Sequence, residues 1–425
     1  MDNNRVVITG LGVVSPNGIG LDNFLHAIKN GISGIRHQQL LADLKFSCQI
    51  AGLPEITPEI TAQYLTPLQL RSFNSMGILY GVIAGMDAWK DAGLTINETD
   101  EPYWDYGMVF GAGTSGIDRF REAIYTIDKL EIRKLGSTVV AQTMNSGVSA
   151  YLSGKIGLGN RISTNSSACC TGTESLLMAY EQIKSGQASI ILAGATSDSG
   201  PYIWGGFDGM KVCTYKNNET PTQGSRPMSA TASGFVPGSG AGAFVVESLS
   251  HAKARGAKIY AEVLGGYANS GGQRGAGTMT APNSVAVQKC ISQALECAKV
   301  TADEIDVING HLTATAMDAT EIKNWTIALN RKGKNFPYIN ALKGMTGHCL
   351  TASGAIECVA SVLQIKHDFL FPNVNCEDLN PEIAELIDTE KIPQSYKSQK
   401  INTLIKASFG FGDLNAAIVL KKYTD

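Results

Sequence analysis

Cys169 stands in Ser166-Ser-Ala-Cys-Cys-Thr-Gly-Thr-Glu174, just before an apolar pattern at Leu176, Leu177, Tyr180 and Ile183 that predicts a helix. A thiol at the turn into a helix start faces free N–H groups and the positive end of the helix dipole, which favours the thiolate. The small neighbours Ser166, Ser167 and Ala168 leave room for a substrate. Cys170, one step on, reads as packing. Of the six histidines, His311 and His348 lie in Gly/Thr-rich surroundings. His311 follows the strand-like Asp306-Val-Ile-Asn-Gly310, and His348 lies between Gly347 and a helical segment. A thiol with two imidazoles, all at strand ends or helix starts, points to acyl transfer. Lys343 precedes His348 in Lys343-Gly-Met-Thr-Gly-His348, and Glu357 further on is a partner for its charge. Ser408-Phe-Gly-Phe-Gly412 sets Phe411 between glycines, as a flexible gate or a backbone oxyanion donor, or else as a plain hydrophobic turn.

Other chemistries fit poorly. There is no HxxxH or CxxC pair to nucleate a metal site. Gly10-Leu-Gly12 resembles the start of a dinucleotide fingerprint, but Ser15 stands where the third glycine belongs, so a tight turn leaving a strand is expected. With a net charge of −3, no nucleic-acid partner is expected. Nine scattered cysteines, an odd number, suit a reducing, cytoplasmic setting better than a disulfide framework. The opening Met1-Asp-Asn-Asn-Arg5 lacks the pattern of a secretory signal, and no apolar run reaches the length of a membrane span.

The chain has 425 residues, 44% of them hydrophobic and 17% charged, which is enough for a large core. Strand-like runs at 106–110, 188–192, 243–247, 260–264, 304–308 and 416–420 alternate with helical patterns at 176–184, 285–299 and 354–365. That alternation predicts an α/β fold with sheets covered by helices. A faint echo links the helix opened by Ala168-Cys-Cys-Thr-Gly-Thr with that opened by Gly347-His-Cys-Leu-Thr-Ala, each after a short strand. Two similar fused halves, 1–255 with the thiol and 256–425 with the histidines, are expected, their helix starts meeting across a pseudo-two-fold axis.

Taken together, these residues resemble the β-ketoacyl-acyl-carrier-protein synthases, of the elongating branch most like synthase II, in the thiolase superfamily. The likeness runs from Val6-Val-Ile-Thr-Gly-Leu-Gly-Val-Val-Ser-Pro-Asn-Gly18 through the Cys169 turn, Gly234-Phe235, Gly240-Ala-Gly242 and His251-Ala-Lys-Ala-Arg-Gly-Ala-Lys-Ile-Tyr-Ala-Glu262. Asn309-Gly-His-Leu-Thr313, Lys343 to His348 and Ser408 to Gly412 complete it. The resemblance implies a five-layer αβαβα architecture and a 3-oxoacyl-carrier synthase that condenses malonyl-carrier with an acyl group on the enzyme in fatty acid elongation. Cys169 matches the nucleophile, His311 and His348 the catalytic histidines, Lys343 the active-site lysine and Glu357 its acidic partner. Phe411 matches the gate whose N–H joins that of Cys169 in the oxyanion hole, and Thr313 and Thr315 the threonines that hold pantetheine. Thr114 falls where some relatives limit the acyl pocket. Lys211, with Arg71, falls where a carrier protein would dock. No cofactor is implied; the partners are acyl carrier protein, its thioesters and a second copy in a homodimer.

This chain departs from the pattern at Leu312, where Gly is usual, and in Arg226-Pro-Met-Ser-Ala-Thr-Ala-Ser-Gly-Phe235, which lacks the usual internal charges. It departs again at Gly412-Asp-Leu-Asn415, where Asp413 and Leu414 replace Gly-Thr beside the gate and are expected to stiffen it. A ketosynthase of an aryl-polyene or other type II polyketide pathway is the main alternative. A silent chain-length-factor-like partner would have lost the nucleophile, and a degradative thiolase would use coenzyme A with a second catalytic Cys.

Overall fold

Ten residues, Val6–Ser15, form one unbroken buried strand, β1, and Gly10 and Gly12 lie inside it. The expected turn at these glycines is therefore absent, and the reason is steric. A Cβ on Gly10 or Gly12 would overlap the carbonyl oxygen of Ala88 or Ala84 in a helix stacked on the strand. The glycines admit a close helix–strand approach rather than a change of direction.

The structure, a computed structural model, describes residues 5–424. After β1 come α1 (Met76–Asp91), β2 (Tyr106–Ala112), α2 (Ile117–Asp128), α3 (Gly147–Ile156), β3 (Ile162–Ser163), α4 (Thr171–Lys184), β4 (Ile190–Ser197), α5 (Pro201–Gly209) and β5 (Gly240–Ser248). The second half supplies β6 (Ala261–Ser270), α6 (Ser284–Ala298), β7 (Val307–Asn309), α7 (Asp318–Leu329), β8 (Tyr338–Asn340), α8 (Ser353–His367), β9 (Thr403–Gly410) and β10 (Leu414–Lys421).

These strands line up as β8-β7-β9-β10-β6-β1-β5-β4-β2-β3. Each arm has the same plan. The three outer strands, β3-β2-β4 or β8-β7-β9, run parallel, and two antiparallel strands follow toward the middle. The arms join where Val6–Ile8 of β1 pairs with Ala261–Val263 of β6. Helices α1 and α3 cover the outer face of one arm, α6 and α7 that of the other, and α4 and α8 fill the space between. That is the five-layer αβαβα arrangement expected of a thiolase-like fold.

Composition explains the central layer. Residues 353 to 365 of α8 are buried on every side, so its sequence is apolar or small all round, Glu357 and Gln364 excepted. The two central helices cross on reciprocal glycines: a Cβ on Gly172 would meet Ala355, and one on Gly354 would meet Thr173. The helix that begins after Cys169 and the one that begins after His348 thus meet at their starts.

Candidate active site

Ala168 has a left-handed backbone (φ 48°), which turns the chain sharply between β3 and α4. Cys170 caps α4, and its Sγ lies 3.1 Å from the carbonyls of Ser408 and Leu414, a packing role. Cys169, partly exposed, is left facing a cavity of about 300 Å³. His311, His348, Phe411, Thr313 and Thr315 line the same cavity. Cys169 Sγ and one ring nitrogen each of His311 and His348 lie within 4.8 Å of one another. The backbone N–H groups of Phe411 and of Cys169 itself lie on the side of the sulfur and favour its charged form.

Burial pushes the Cys169 thiol above its ordinary pKa; the Lys343 charge and the Phe411 N–H pull it back only in part. The expectation that the helix start would favour the thiolate is corrected here, because desolvation outweighs the local donors.

Both imidazoles are buried, with pKa values well below the usual histidine range. Burial is the main cause, and the Lys343 and Lys406 ammonium groups add to it. Their surroundings also set the tautomer. Leu350 N–H donates to His348 Nδ1 at 3.1 Å, and Ser353 Oγ lies 2.9 Å from the same atom. Lys343 Nζ, which can only donate, lies 3.5 Å from His311 Nδ1 and 2.6 Å from the His311 carbonyl. Each Nδ1 is an acceptor, so each neutral ring carries its proton on Nε2. Lys343 is itself buried and ion-paired with Glu357 Oε1.

Two carboxylates of α7 hold the His311 loop by its backbone. Glu321 accepts from the N–H groups of His311 and Leu312, both at 2.7 Å, and Asp318 from those of Thr313 and Ala314 at 2.9 and 3.1 Å. Burial raises Asp318 to about 7. These bonds hold Leu312 (φ 28°) and Ala314 (φ 63°) in a region that favours glycine, which is how the chain tolerates Leu312. Thr313 Oγ1 and Thr315 Oγ1 are 3.0 Å apart on the cavity wall.

The gate is anchored too. Asp413 is buried with φ 63°, and its carboxylate accepts the N–H groups of Gln273 at 3.0 Å and Asn283 at 2.8 Å. Gly412 N–H reaches the Met279 carbonyl at 2.9 Å. The 271–283 loop supplies Thr280, Ala281 and Pro282 to the cavity, so Asp413 clasps two of its walls together.

Three expected residues stand apart. Thr114 is exposed and does not line the cavity. Lys211 is exposed with φ 59°, next to Val212 on the cavity wall, and therefore at its rim. Arg71 is exposed at the end of the short helix Pro67–Leu70, away from the cavity lining. The sequence reading missed Lys406, Glu321, Asp318 and Phe207. Phe207 lies between Phe235, which it meets edge-on, and Phe411, with ring centroids 5.6 and 5.8 Å away. A lysine inside the apolar Thr403-Leu-Ile-Lys-Ala407 was the available signal for Lys406.

Comparison with known proteins agrees with this geometry. The N-terminal domain model of beta-ketoacyl synthases matches residues 3–252, and the C-terminal domain model residues 260–377. The 3-oxoacyl-[acyl-carrier-protein] synthase 2 of Vibrio harveyi is 33% identical over the whole of both chains. Synthase 1 of Escherichia coli strain K12 is also 33% identical, over 99% of this chain and 100% of its own. Among solved structures, a beta-ketoacyl synthase from Burkholderia phymatum superposes with a TM-score of 0.89 at 28% identity, over 99% of this chain and 100% of that one. The type II PKS acyl-carrier protein AntDE:AntF complex with its ketosynthase gives 0.88 at 29%, with the same coverage. A thiol, two Nε2–H donors and two backbone N–H groups around one cavity, on a chain matched from end to end, make this protein a member of the beta-ketoacyl synthase family, the condensing acyltransferases.

Proposed function

We propose that the protein is a 3-oxoacyl-[acyl-carrier-protein] synthase acting in fatty acid elongation. The supporting observation is that both imidazoles accept at Nδ1 and so offer Nε2–H beside the Cys169 sulfur. Cys169 takes the acyl group from a carrier thioester and releases the carrier thiol. Malonyl-carrier then loses CO2, and the electron pair of the broken C–C bond forms an enolate. His311 and His348 donate to its oxygen without having to ionise. The enolate carbon attacks the acyl-Cys169 carbonyl, whose developing charge meets the N–H groups of Cys169 and Phe411. The C–S bond breaks, leaving the thiolate and a β-ketoacyl-carrier.

The reaction uses no metal or other cofactor in this reading. The Lys343 and Lys406 charges that depress both histidines equally oppose a divalent cation there. Thr313 and Thr315 hold the pantetheine arm, and exposed Lys211 at the cavity rim meets the acidic carrier protein. A homodimer is supported by the uncovered face of α2, where Phe120, Ile124 and Ile127 recur at helical spacing and are each about half exposed, and by the outer strand β3. Nine unpaired cysteines support a cytoplasmic setting, and among the described residues no helix is long and apolar enough to cross a membrane.

A type II polyketide substrate is the second reading. The similar ketosynthase of the AntDE:AntF complex favours it. Intact-protein mass spectrometry with acyl-carriers of graded length, followed by malonyl-carrier, tests both on wild type and Cys169→Ala. Saturated acyl chains that load Cys169 and leave as β-ketoacyl-carrier support elongation. Loading by polyketide-like chains alone supports the second reading. No loading of folded protein overturns both.

A further inference from the structure

Glu357 holds two lysines. Lys343 pairs with Oε1, while Lys406, in β9 and wholly buried, places Nζ 2.8 Å from Oε2. Lys406 also donates to the Ala407 carbonyl and to Ser408 Oγ, the latter at 3.2 Å. Ser408 Oγ in turn lies 2.9 Å from Thr173 Oγ1 in α4. One ammonium group therefore ties together the strand that leads to the gate, the helix that follows the nucleophile and the helix that carries Glu357. Charge counting adds a second point. Within the Lys343–Glu357–Lys406 cluster, two ammonium groups and one carboxylate leave a formal excess of one positive charge. Burying an unbalanced charge is costly, and an apolar side chain of the same length would fill the space without that cost.

We propose that Lys406 is a positioning residue of the condensing site, fixing Glu357 from behind and keeping the site floor one positive charge in excess. The proposal rests on the condensing reaction proposed above. The excess favours the charge that forms on the Cys169 sulfur and on the enolate oxygen, and it keeps both imidazoles neutral. The groups that face the imidazoles are Lys343 and Lys406 below, Glu357 between these two, Cys169 alongside, and Glu321 and Asp318 behind the His311 loop. Without Lys406, Glu357 would cancel Lys343 and the excess would vanish.

The test follows decarboxylation of malonyl-carrier across the acidic and neutral pH range for wild type, Lys406→Met, Lys406→Arg and the double variant Lys406→Met/Glu357→Gln. Thermal unfolding of each is recorded alongside. In Lys406→Met the acid limb should move up by about one pH unit as the histidines become easier to protonate, and the plateau should fall about tenfold. Lys406→Arg should keep the wild-type limb. The double variant, again one positive charge in excess, should regain it, which a purely space-filling lysine would not allow. A Lys406→Met limb that overlays wild type, or a double variant displaced as far as the single one, overturns the proposal. If Lys406→Met does not fold, Lys406→Gln, which can still donate to Ala407 and Ser408, replaces it under the same criteria. Wild-type protein that neither loads nor decarboxylates overturns the condensing reading, and the proposal with it, before any variant is compared.

Discussion

Leu350 donates its backbone N–H to Nδ1 of His348 at 3.1 Å, and that bond decides which ring nitrogen carries the proton. Lys343 Nζ does the same for His311 Nδ1, 3.5 Å away. Replacing either imidazole by alanine removes one Nε2–H donor from the enolate oxygen. Decarboxylation by His311→Ala or His348→Ala should fall about 100- to 1,000-fold. Loading of Cys169 relies on the backbone N–H groups and should survive, so mass spectrometry would show an acyl adduct that malonyl-carrier fails to discharge.

The pH dependence has a definite sign. Both histidines work as neutral rings, and burial with the nearby lysines holds their pKa values well below the usual range. Lowering the pH through ordinary histidine pKa values, near 6.5, should leave decarboxylation on its plateau; activity is lost only further down. An acid limb centred on 6.5 would mean that protonation of these rings is not opposed as the structure requires.

Cys169 behaves differently, because burial moves its thiol upward. Alkylation by iodoacetamide should keep rising with pH beyond 9, and Cys169→Ala should abolish it at this site. A rate already flat at neutral pH would show that the thiolate is formed there.

Asp413→Ala leaves the N–H groups of Gln273 and Asn283 without their acceptor. Both bonds are only part-buried, so each loss costs about 0.5–1.5 kcal/mol, which should appear as a lower Tm. Exposed Arg274 lies in the released loop, so trypsin should cut there faster than in wild type. Unchanged cleavage would mean that the loop is held by other contacts.

Gly12→Ala probes the fold rather than the site. The added methyl overlaps the Ala84 carbonyl, and α1 must move off β1. A loss of about 3 kcal/mol is expected in denaturant unfolding.

The sequence made the site's chemistry legible where residue type and spacing alone carry it. Cys169, His311 and His348 each sit at an element end among small residues, and the echo between their helices corresponds to the crossing of α4 and α8. What stayed hidden depends on distant partners. Gly10 and Gly12 read as a turn because nothing nearby shows the helix about seventy residues later that lies across them. Lys406 stands out only as a lysine in an apolar run until Glu357, on another element, is brought against it. Glu321 and Asp318 drew no notice, because their acceptors are spent on the loop before their helix.

Helix α8 has no face to water from residue 353 to 365, and it carries the carboxylate on which both buried lysines close. Its amides can exchange with deuterium only when the layers on both sides part. The charged floor of the site therefore has no private way of loosening. Heat should inactivate this protein at the temperature that unfolds it and not before, with α8 the last segment to take up label.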